Sequence, residues 1–331
     1  MKAIVLEGAG RPLILKEVEK PVLQPGEVLV KIKAAALNRR DYWITVGQYA
    51  GIKYPSILGS DGAGIVAEAG GDADKEWVGR EVIINPSHDW GNHPEFQSKE
   101  FKILGLPEDG TFAEYVKVRR EYLHAKPKHL TWEQAAALPL AGLTAYRALF
   151  TKARAGKDDK VLITGAGSGT GSIAVQLAHA AGCKVFVTSG SGEKIEHAKH
   201  LGAVAGVCYK AQDWAEQLQH LSGGFDVVID SALGEGFAKL PEICNPGARI
   251  VFFGGTAGNI PEINGRKIFW KQLQILGTTM GTSEEFGAMV DFVNEHQIVP
   301  VIDEVFPLAE AEKAVRKMEH STQFGKIVLR A

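Results

Sequence analysis

Apolar and polar positions alternate along the first part of the chain. Glu27-Val28-Leu29-Val30-Lys31-Ile32-Lys33 shows it best, and puts Val28, Val30 and Ile32 on one strand face, toward a core. Pro25-Gly26 marks the turn ahead of it. Ile65 to Glu68, Glu81 to Ile84 and Phe112 to Val116 repeat the strand pattern. Together they predict a small, largely antiparallel β domain over residues 1–128, interrupted by one helix near Arg39 to Val46. Between Pro86 and Asp109 proline, glycine and polar residues predict a long irregular loop, a feature that is often functional.

The pattern then changes. Thr131-Trp132-Glu133-Gln134 is a capping box that opens a helix, and Pro139 splits that helix before Leu140 to Thr151. From Lys160 to about Met280, short apolar runs alternate with helically spaced segments. The runs include Val161 to Ile163, Lys184 to Thr188, Phe225 to Asp230, Arg249 to Phe253 and Leu273 to Met280. This predicts a second domain, residues 129–280, with a doubly wound parallel sheet. The tail, 281–331, holds a helix near Glu284 to Glu295, an amphipathic helix near Ala309 to Met318 and a strand from Lys326 to Leu329. The pattern alone leaves open which domain that tail joins.

The second domain opens with a strand, a glycine turn and a helix. Val161-Leu162-Ile163 leads into Gly165-Ala166-Gly167-Ser168-Gly169-Thr170-Gly171, and Ile173, Gln176, Leu177 and Ala180 follow at helical spacing. Such a unit sets a dinucleotide pyrophosphate on a helix N-terminus. Ser168 stands where the G-x-G-x-x-G fingerprint, aligned on Gly171, has its second glycine. The competing reading is an α/β turn without a cofactor. Further strand ends rich in small residues, such as Gly254-Gly255, argue for the nucleotide site.

A length of 331 residues suits two domains with their own cores. A formal net charge of -2, with both signs interspersed, shows no basic block for nucleic acid or an anionic membrane. No apolar run is long enough to span a bilayer, and the apolar start is too short for a signal peptide. Cys183, Cys208 and Cys244 lie scattered in or near apolar stretches and read as buried thiols. A cytoplasmic protein is the expectation.

Several motifs, in order, carry a resemblance. They are Leu37-Asn38-Arg39-Arg40-Asp41, Leu58-Gly59-Ser60-Asp61-Gly62-Ala63-Gly64, Gly110 to Tyr115, Gly142-Leu143-Thr144-Ala145-Tyr146, the glycine turn and Gly325 to Leu329. From end to end the chain resembles a medium-chain dehydrogenase/reductase, closest to the zinc-free quinone-oxidoreductase-like branch; zinc-type alcohol dehydrogenase-like proteins share its features. The resemblance implies an α/β fold with a GroES-like barrel, made from the first segment and the tail, around a Rossmann domain. A small-molecule substrate would sit in the cleft between them. Zinc members of the family carry Cys where Asn38 stands, Gly-His-Glu where Gly59-Ser60-Asp61 stands, and a third ligand near Leu140-Ala141. No metal is therefore expected. His88 and His93, in the long loop, read as a metal pair or as solvated histidines.

Without a metal, hydride transfer favours quinones and α,β-unsaturated carbonyls, which spread their own negative charge. Asn38 is a candidate oxyanion donor or a helix cap. Asp41 orders the local hydrogen bonds or is solvated; Tyr42 and Tyr49 are proton donors or packing; Thr144 touches the nicotinamide or packs within a helix. Arg39 and Arg40 read as solvated helix-face charges. Ser168, Gly169, Thr170 and Gly171 form the candidate phosphate cradle, and Gly254 lets backbone approach the nicotinamide. Ser189 ends the second strand where NAD sites place a carboxylate; with Ser191 and Lys194 it suits the 2′-phosphate of NADP(H), and Tyr209 stacks nearby or packs. The expected activity is NADPH-dependent reduction of a quinone or enone. The alternatives are an alcohol dehydrogenase-type enzyme and a non-catalytic NADPH-binding protein. The apolar run Leu273 to Met280 should form a sheet edge that a homodimer covers.

Overall fold

In the computed structural model, which describes all residues from Met1 to Ala331, the strand Glu27–Ala36 organises the first unit. It pairs antiparallel with Asp61–Ala69, Tyr115–Arg119 and Lys326–Arg330 in a seven-stranded sheet. Val28, Val30 and Ile32 are buried as the alternation predicts. Leu29 is fully buried too, so the strand is covered on both faces at that point. The strand expected from Phe112 begins at Tyr115 instead. Phe112 and Ala113 are fully buried; the Phe112 N–H donates to the Leu58 carbonyl, and Ala113 bridges Ala3. Within the long loop, Ser87–His88 and Lys102–Ile103 form a short antiparallel pair.

The tail belongs to this first unit. Lys326–Arg330 lies between Glu27–Ala36 and Ile302–Pro307, which sets Val328 opposite Ala36. Met1–Leu143 and Gly281–Ala331 form one unit, and Thr144–Met280 the other. Residues 129–143 thus side with the first unit rather than the second. The physical reason is the capping-box helix Trp132–Ala136, which packs on Glu27–Ala36 and Asp61–Ala69 and buries Ala135 and Ala136 completely.

The second unit is a six-stranded sheet. Its order is Ala203–Cys208, Lys184–Ser189, Lys160–Ile163, Phe225–Asp230, Cys244–Phe252, Gln274–Gly277, and every neighbour is parallel. The first strand lies in the middle, so the order reverses between Lys160–Ile163 and Phe225–Asp230. Ligands of open α/β sheets bind at such a switch point, beyond the carboxyl ends of the strands. The helix Gly169–Ala180 buries Ile173, Ala174, Val175, Leu177 and Ala178, a wider face than the predicted spacing. Leu162, Phe186, Phe225, Val228 and Ile250 belong to the core beneath the sheet. No helix is long and apolar enough to cross a membrane.

Candidate functional site

At the switch point of the second unit the first strand ends at Ile163 and the chain turns. Thr164 Oγ1 donates to Asp230 Oδ2 at 2.7 Å, which ties the two central strand ends together. Ser168 is the N-cap of Gly169–Ala180; its Oγ accepts the Gly171 N–H at 3.0 Å. The departure from the glycine fingerprint thus serves as a cap. Gly171 is required by close approach, since a Cβ there would lie 2.6 Å from the Gly165 carbonyl oxygen. The first N–H groups of a helix have no partner inside it, and the helix dipole adds positive potential. This cradle fits the pyrophosphate of a dinucleotide. Gly254 follows Cys244–Phe252 and lies against the Ser231 carbonyl.

The second strand brings a further group together. Ser189 ends it and is buried; Ser191 caps the helix Gly192–His200, with its Oγ accepting from the Lys194 N–H at 3.4 Å. The Tyr209 N–H donates to the Ser189 carbonyl at 3.1 Å. A Cβ on Gly190 would meet the Tyr209 hydroxyl at 2.7 Å and Lys210 Cε at 3.7 Å. Glycine at 190 therefore leaves room for the half-exposed Tyr209 ring beside Ser189.

The first unit holds a different cluster. Asn38 caps the helix Arg39–Thr45, Asp61 starts its strand, and Lys326 starts the tail strand. Asp61 Oδ2 accepts from Asn38 Nδ2 at 2.9 Å and from Lys326 Nζ at 2.8 Å. Lys326 Nζ also donates to Asn38 Oδ1 at 2.7 Å. Asp61 Oδ1 accepts from the Leu140 N–H, at 2.8 Å, in the first turn of Pro139–Tyr146. Lys326 is 3% and Asp61 0% exposed, so this is a buried ion pair with its hydrogen bonds made. It also orients the Asn38 amide: the oxygen faces the ammonium, and one N–H is used on Asp61. The second amide N–H is left for another acceptor.

Asp41 lies one helical turn on. Its Oδ2 accepts the Asn38 N–H at 2.7 Å, while its buried Oδ1 has no partner. Burial pushes the Asp41 carboxyl up to about 6, against the opposing pull of Arg40, the Asn38 N–H and Lys326. Arg40 is not a solvated helix-face charge. It is 8% exposed, and its Nη1 donates to Ser60 Oγ at 2.6 Å and to the Leu104 carbonyl at 3.0 Å. The reason is register: the helix begins inside the unit, so its first turn points Arg40 and Asp41 inward.

Structure gathers Asn38 and Asp41 with Asp61, Lys326 and Arg40. It turns the Tyr42 hydroxyl elsewhere, onto Glu319 Oε1 at 3.2 Å. Tyr49 instead lies by Arg40, with its ring centroid 5.1 Å from the guanidinium carbon. Thr144 is buried in the last turn of Pro139–Tyr146, where the second unit begins. His88 is buried, stacked on Tyr122 at 3.9 Å, and donates from Nε2 to the Asn85 carbonyl at 3.1 Å; His93 stacks on Phe96. They are engaged apart from each other, and nowhere do three or more His, Cys, Asp or Glu side chains come together as a metal site would need. Lys326 and Arg40 are the residues that pattern missed. The one available signal for Lys326 was a lysine opening an otherwise apolar terminal strand.

A GroES-like unit joined to a six-stranded dinucleotide-type sheet defines a class, and comparison with known proteins agrees. Residues 24–128 match the alcohol dehydrogenase GroES-like domain model, and residues 169–295 the zinc-binding dehydrogenase model. The chain belongs to the medium-chain dehydrogenase/reductase superfamily, whose oxidoreductases use nicotinamide cofactors. It is 34% identical to a zinc-type alcohol dehydrogenase-like protein of Leptosphaeria maculans, over 96% of this chain and 94% of that one. It is 30% identical to the quinone oxidoreductase of Mus musculus, over 99% and 97% of the two chains. A crystal structure of an NAD-dependent alcohol dehydrogenase superposes with a TM-score of 0.93 at 35% identity, covering 100% of both chains.

Proposed function

We propose that the protein is an NADPH-dependent reductase that passes hydride to a quinone or an α,β-unsaturated carbonyl without zinc. The observation that carries this reading is the Asn38–Asp61–Lys326 cluster. Zinc is bound by Cys, His, Asp or Glu. The two carboxylates that contact Asn38 are Asp61, whose oxygens are taken by Lys326, Asn38 and Leu140, and Asp41, held by the Asn38 N–H. An ammonium stands beside Asp61, and that donor set does not fit a dication. A NADPH nicotinamide supplies hydride. The remaining Asn38 N–H can donate to the oxygen that gains charge as the acceptor is reduced. One preorganised donor of this kind contributes about 3 kcal/mol. Lys326 and Asp61 hold that amide in place. Asp41 can hold a proton near neutrality, because burial raises its carboxyl to about 6.

The cofactor preference rests on Ser189. A carboxylate at that strand end would accept both ribose hydroxyls and repel a 2′-phosphate; a hydroxyl donates to it. Lys194 adds positive charge one helical turn away. Titration of NADPH and NADH against wild type, Lys194→Ala and Ser189→Asp tests this. Lys194→Ala should weaken NADPH by about ten- to a hundredfold and barely change NADH. Ser189→Asp should shift preference toward NADH. Equal affinity of wild type for both cofactors would refute it and favour the NAD-dependent alcohol dehydrogenase reading that one relative suggests. Metal analysis and turnover in a chelator test the zinc-free part. Binding of NADPH with no turnover on quinones, enones or aldehydes would favour a non-catalytic role.

A homodimer and a cytoplasmic setting complete the proposal. Gln274–Gly277 is an edge strand, and Phe269 and Trp270 beside it are 67% and 83% exposed. An apolar edge of this kind calls for a cover. A Trp270→Glu variant should move the mass in light scattering from dimer to monomer. All three cysteines are free thiols, in keeping with a reducing compartment.

A further inference from the structure

Asp230 is a buried carboxylate of the second unit at which no ion pair forms. It is 4% exposed, and its hydrogen-bond partners are all neutral. Oδ1 accepts the Ala232 N–H at 3.1 Å and the Leu233 N–H at 2.7 Å, while Oδ2 accepts the Thr164 hydroxyl at 2.7 Å. The same hydroxyl oxygen accepts the Ser231 N–H at 3.3 Å. One side chain thus fastens the turn 231–233, which follows Phe225–Asp230, to the residue that opens the glycine turn. The fastened turn in turn supports the next loop. The Ala257 N–H donates to the Ala232 carbonyl at 2.9 Å. A Cβ on Gly234 would lie 2.5 Å from the Ala257 carbonyl oxygen, and one on Gly254 2.3 Å from the Ser231 carbonyl oxygen. A turn that only had to close could use a neutral Asn or Ser, whereas burying a full charge without an opposite one is costly.

Strand order decides which part of the ligand this turn serves. The phosphate cradle follows Lys160–Ile163, with Lys184–Ser189 on one side and Phe225–Asp230 on the other. The ribose of the adenosine half is read at the end of the second strand, where Ser189 stands. The nicotinamide half of a dinucleotide held at the cradle therefore extends the other way, along the turn 231–233 and Gly254. We propose that Asp230 is a positioning residue for that half: it locks the turn 231–233 to Thr164 and so fixes one wall of the crevice relative to the pyrophosphate cradle. A carboxylate is needed because it has two oxygens. An amide has one, which can face Thr164 or the two N–H groups but not both. The proposal rests on a nicotinamide dinucleotide as the cofactor, which the superfamily uses, and not on the choice of NADPH over NADH or on the acceptor.

The test is calorimetric titration of the full chain with NADPH and with 2′,5′-ADP, which keeps the adenosine half and lacks nicotinamide. Asp230→Ala should weaken NADPH by about tenfold or more and 2′,5′-ADP by no more than about threefold. The fluorescence of bound NADPH should move toward that of the free cofactor. Thr164→Val should show the same selective loss, while Thr164→Ser, which keeps the hydroxyl, should stay within about twofold of wild type. The double variant of Asp230→Ala and Thr164→Val should bind NADPH no more weakly than Asp230→Ala alone, since both changes remove one lock. If Asp230→Ala does not fold, as judged by its thermal melt, the contrast between Thr164→Val and Thr164→Ser decides. Equal losses for NADPH and 2′,5′-ADP, retained NADPH affinity in Asp230→Ala, or Thr164→Ser as weak as Thr164→Val would overturn the proposal. Tighter binding of NADH than of NADPH by wild type would sink the cofactor choice alone, and the same comparison then runs with NADH and ADP. Binding of neither dinucleotide would overturn both.

Discussion

The two polar clusters are built on opposite principles. In the second unit the side-chain caps of the two helices are local: Ser168 to Gly171 and Ser191 to Lys194 each span 3 residues, while Thr164 to Asp230, at the strand ends, spans 66. In the first unit the contacts are remote. Asn38 to Asp61 spans 23 residues, Lys326 to Asp61 265, and Lys326 to Asn38 288. The second unit's cluster uses backbone and short hydroxyl side chains at strand ends. The first unit's cluster buries full charges and depends on the tail strand returning beside Glu27–Ala36. A local site tolerates change elsewhere; a remote one couples its chemistry to the stability of the whole unit.

That contrast is broken most strongly by removing the ammonium. Lys326→Met should leave the Asp61 carboxylate buried and unpaired and cost about 3–5 kcal/mol in urea unfolding. Asp61→Asn added to Lys326→Met should recover much of it, since an uncharged pair needs no counter-ion. A single-variant cost under about 1 kcal/mol would mean that the pair contributes no more than a surface one.

Next in size is the pH dependence from Asp41. Its carboxyl is raised from 3.8 to about 6, burial being the main cause. The folded state holds this proton more tightly than the unfolded chain does. The stability it contributes is complete below about pH 4 and is lost as pH rises to about 6, roughly 3 kcal/mol in all for this fully buried group. Asp41→Asn should flatten that part of the stability–pH curve. An unchanged slope would place the proton on another group.

The glycine turn should respond more gently. Gly171→Ala drives a methyl toward the Gly165 carbonyl, at a cost of about 1–3 kcal/mol. It should also weaken dinucleotide binding, read by fluorescence titration. Retained affinity would show that the turn does not hold the pyrophosphate. The smallest effect is expected from Ser168→Ala, which removes the cap on Gly171 and should cost about 1 kcal/mol. A loss as large as that of Lys326→Met would erase the distinction between local and remote clusters.

Legibility follows the same division. The strands Glu81–Ile84 and Phe225–Asp230, the capping box at Thr131 and the helix break at Pro139 were all readable, because propensity and capping act within a few residues. The start of Tyr115–Arg119 was not, because Phe112 and Ala113 bond to Leu58 and Ala3 from a distant part of the chain. Arg40 illustrates the limit. An arginine pair at a helix start reads as solvated, and only the fold shows that Ser60 and Leu104 surround the second one.

By itself the sequence determined the parallel nucleotide-type sheet, its glycine turn, and the absence of Cys and His at Asn38 and Ser60, since periodicity and side-chain chemistry are properties of neighbouring residues. The family resemblance implied that the tail returns to the first unit, and tertiary structure set the strand it pairs with and decided that residues 129–143 join that unit. Tertiary structure also decided that Lys326 meets Asp61 and that Arg40 lies buried without an ion-pair partner. The reason is physical: the energy of a buried charge depends on what surrounds it, and here those surroundings come from segments far apart in the chain.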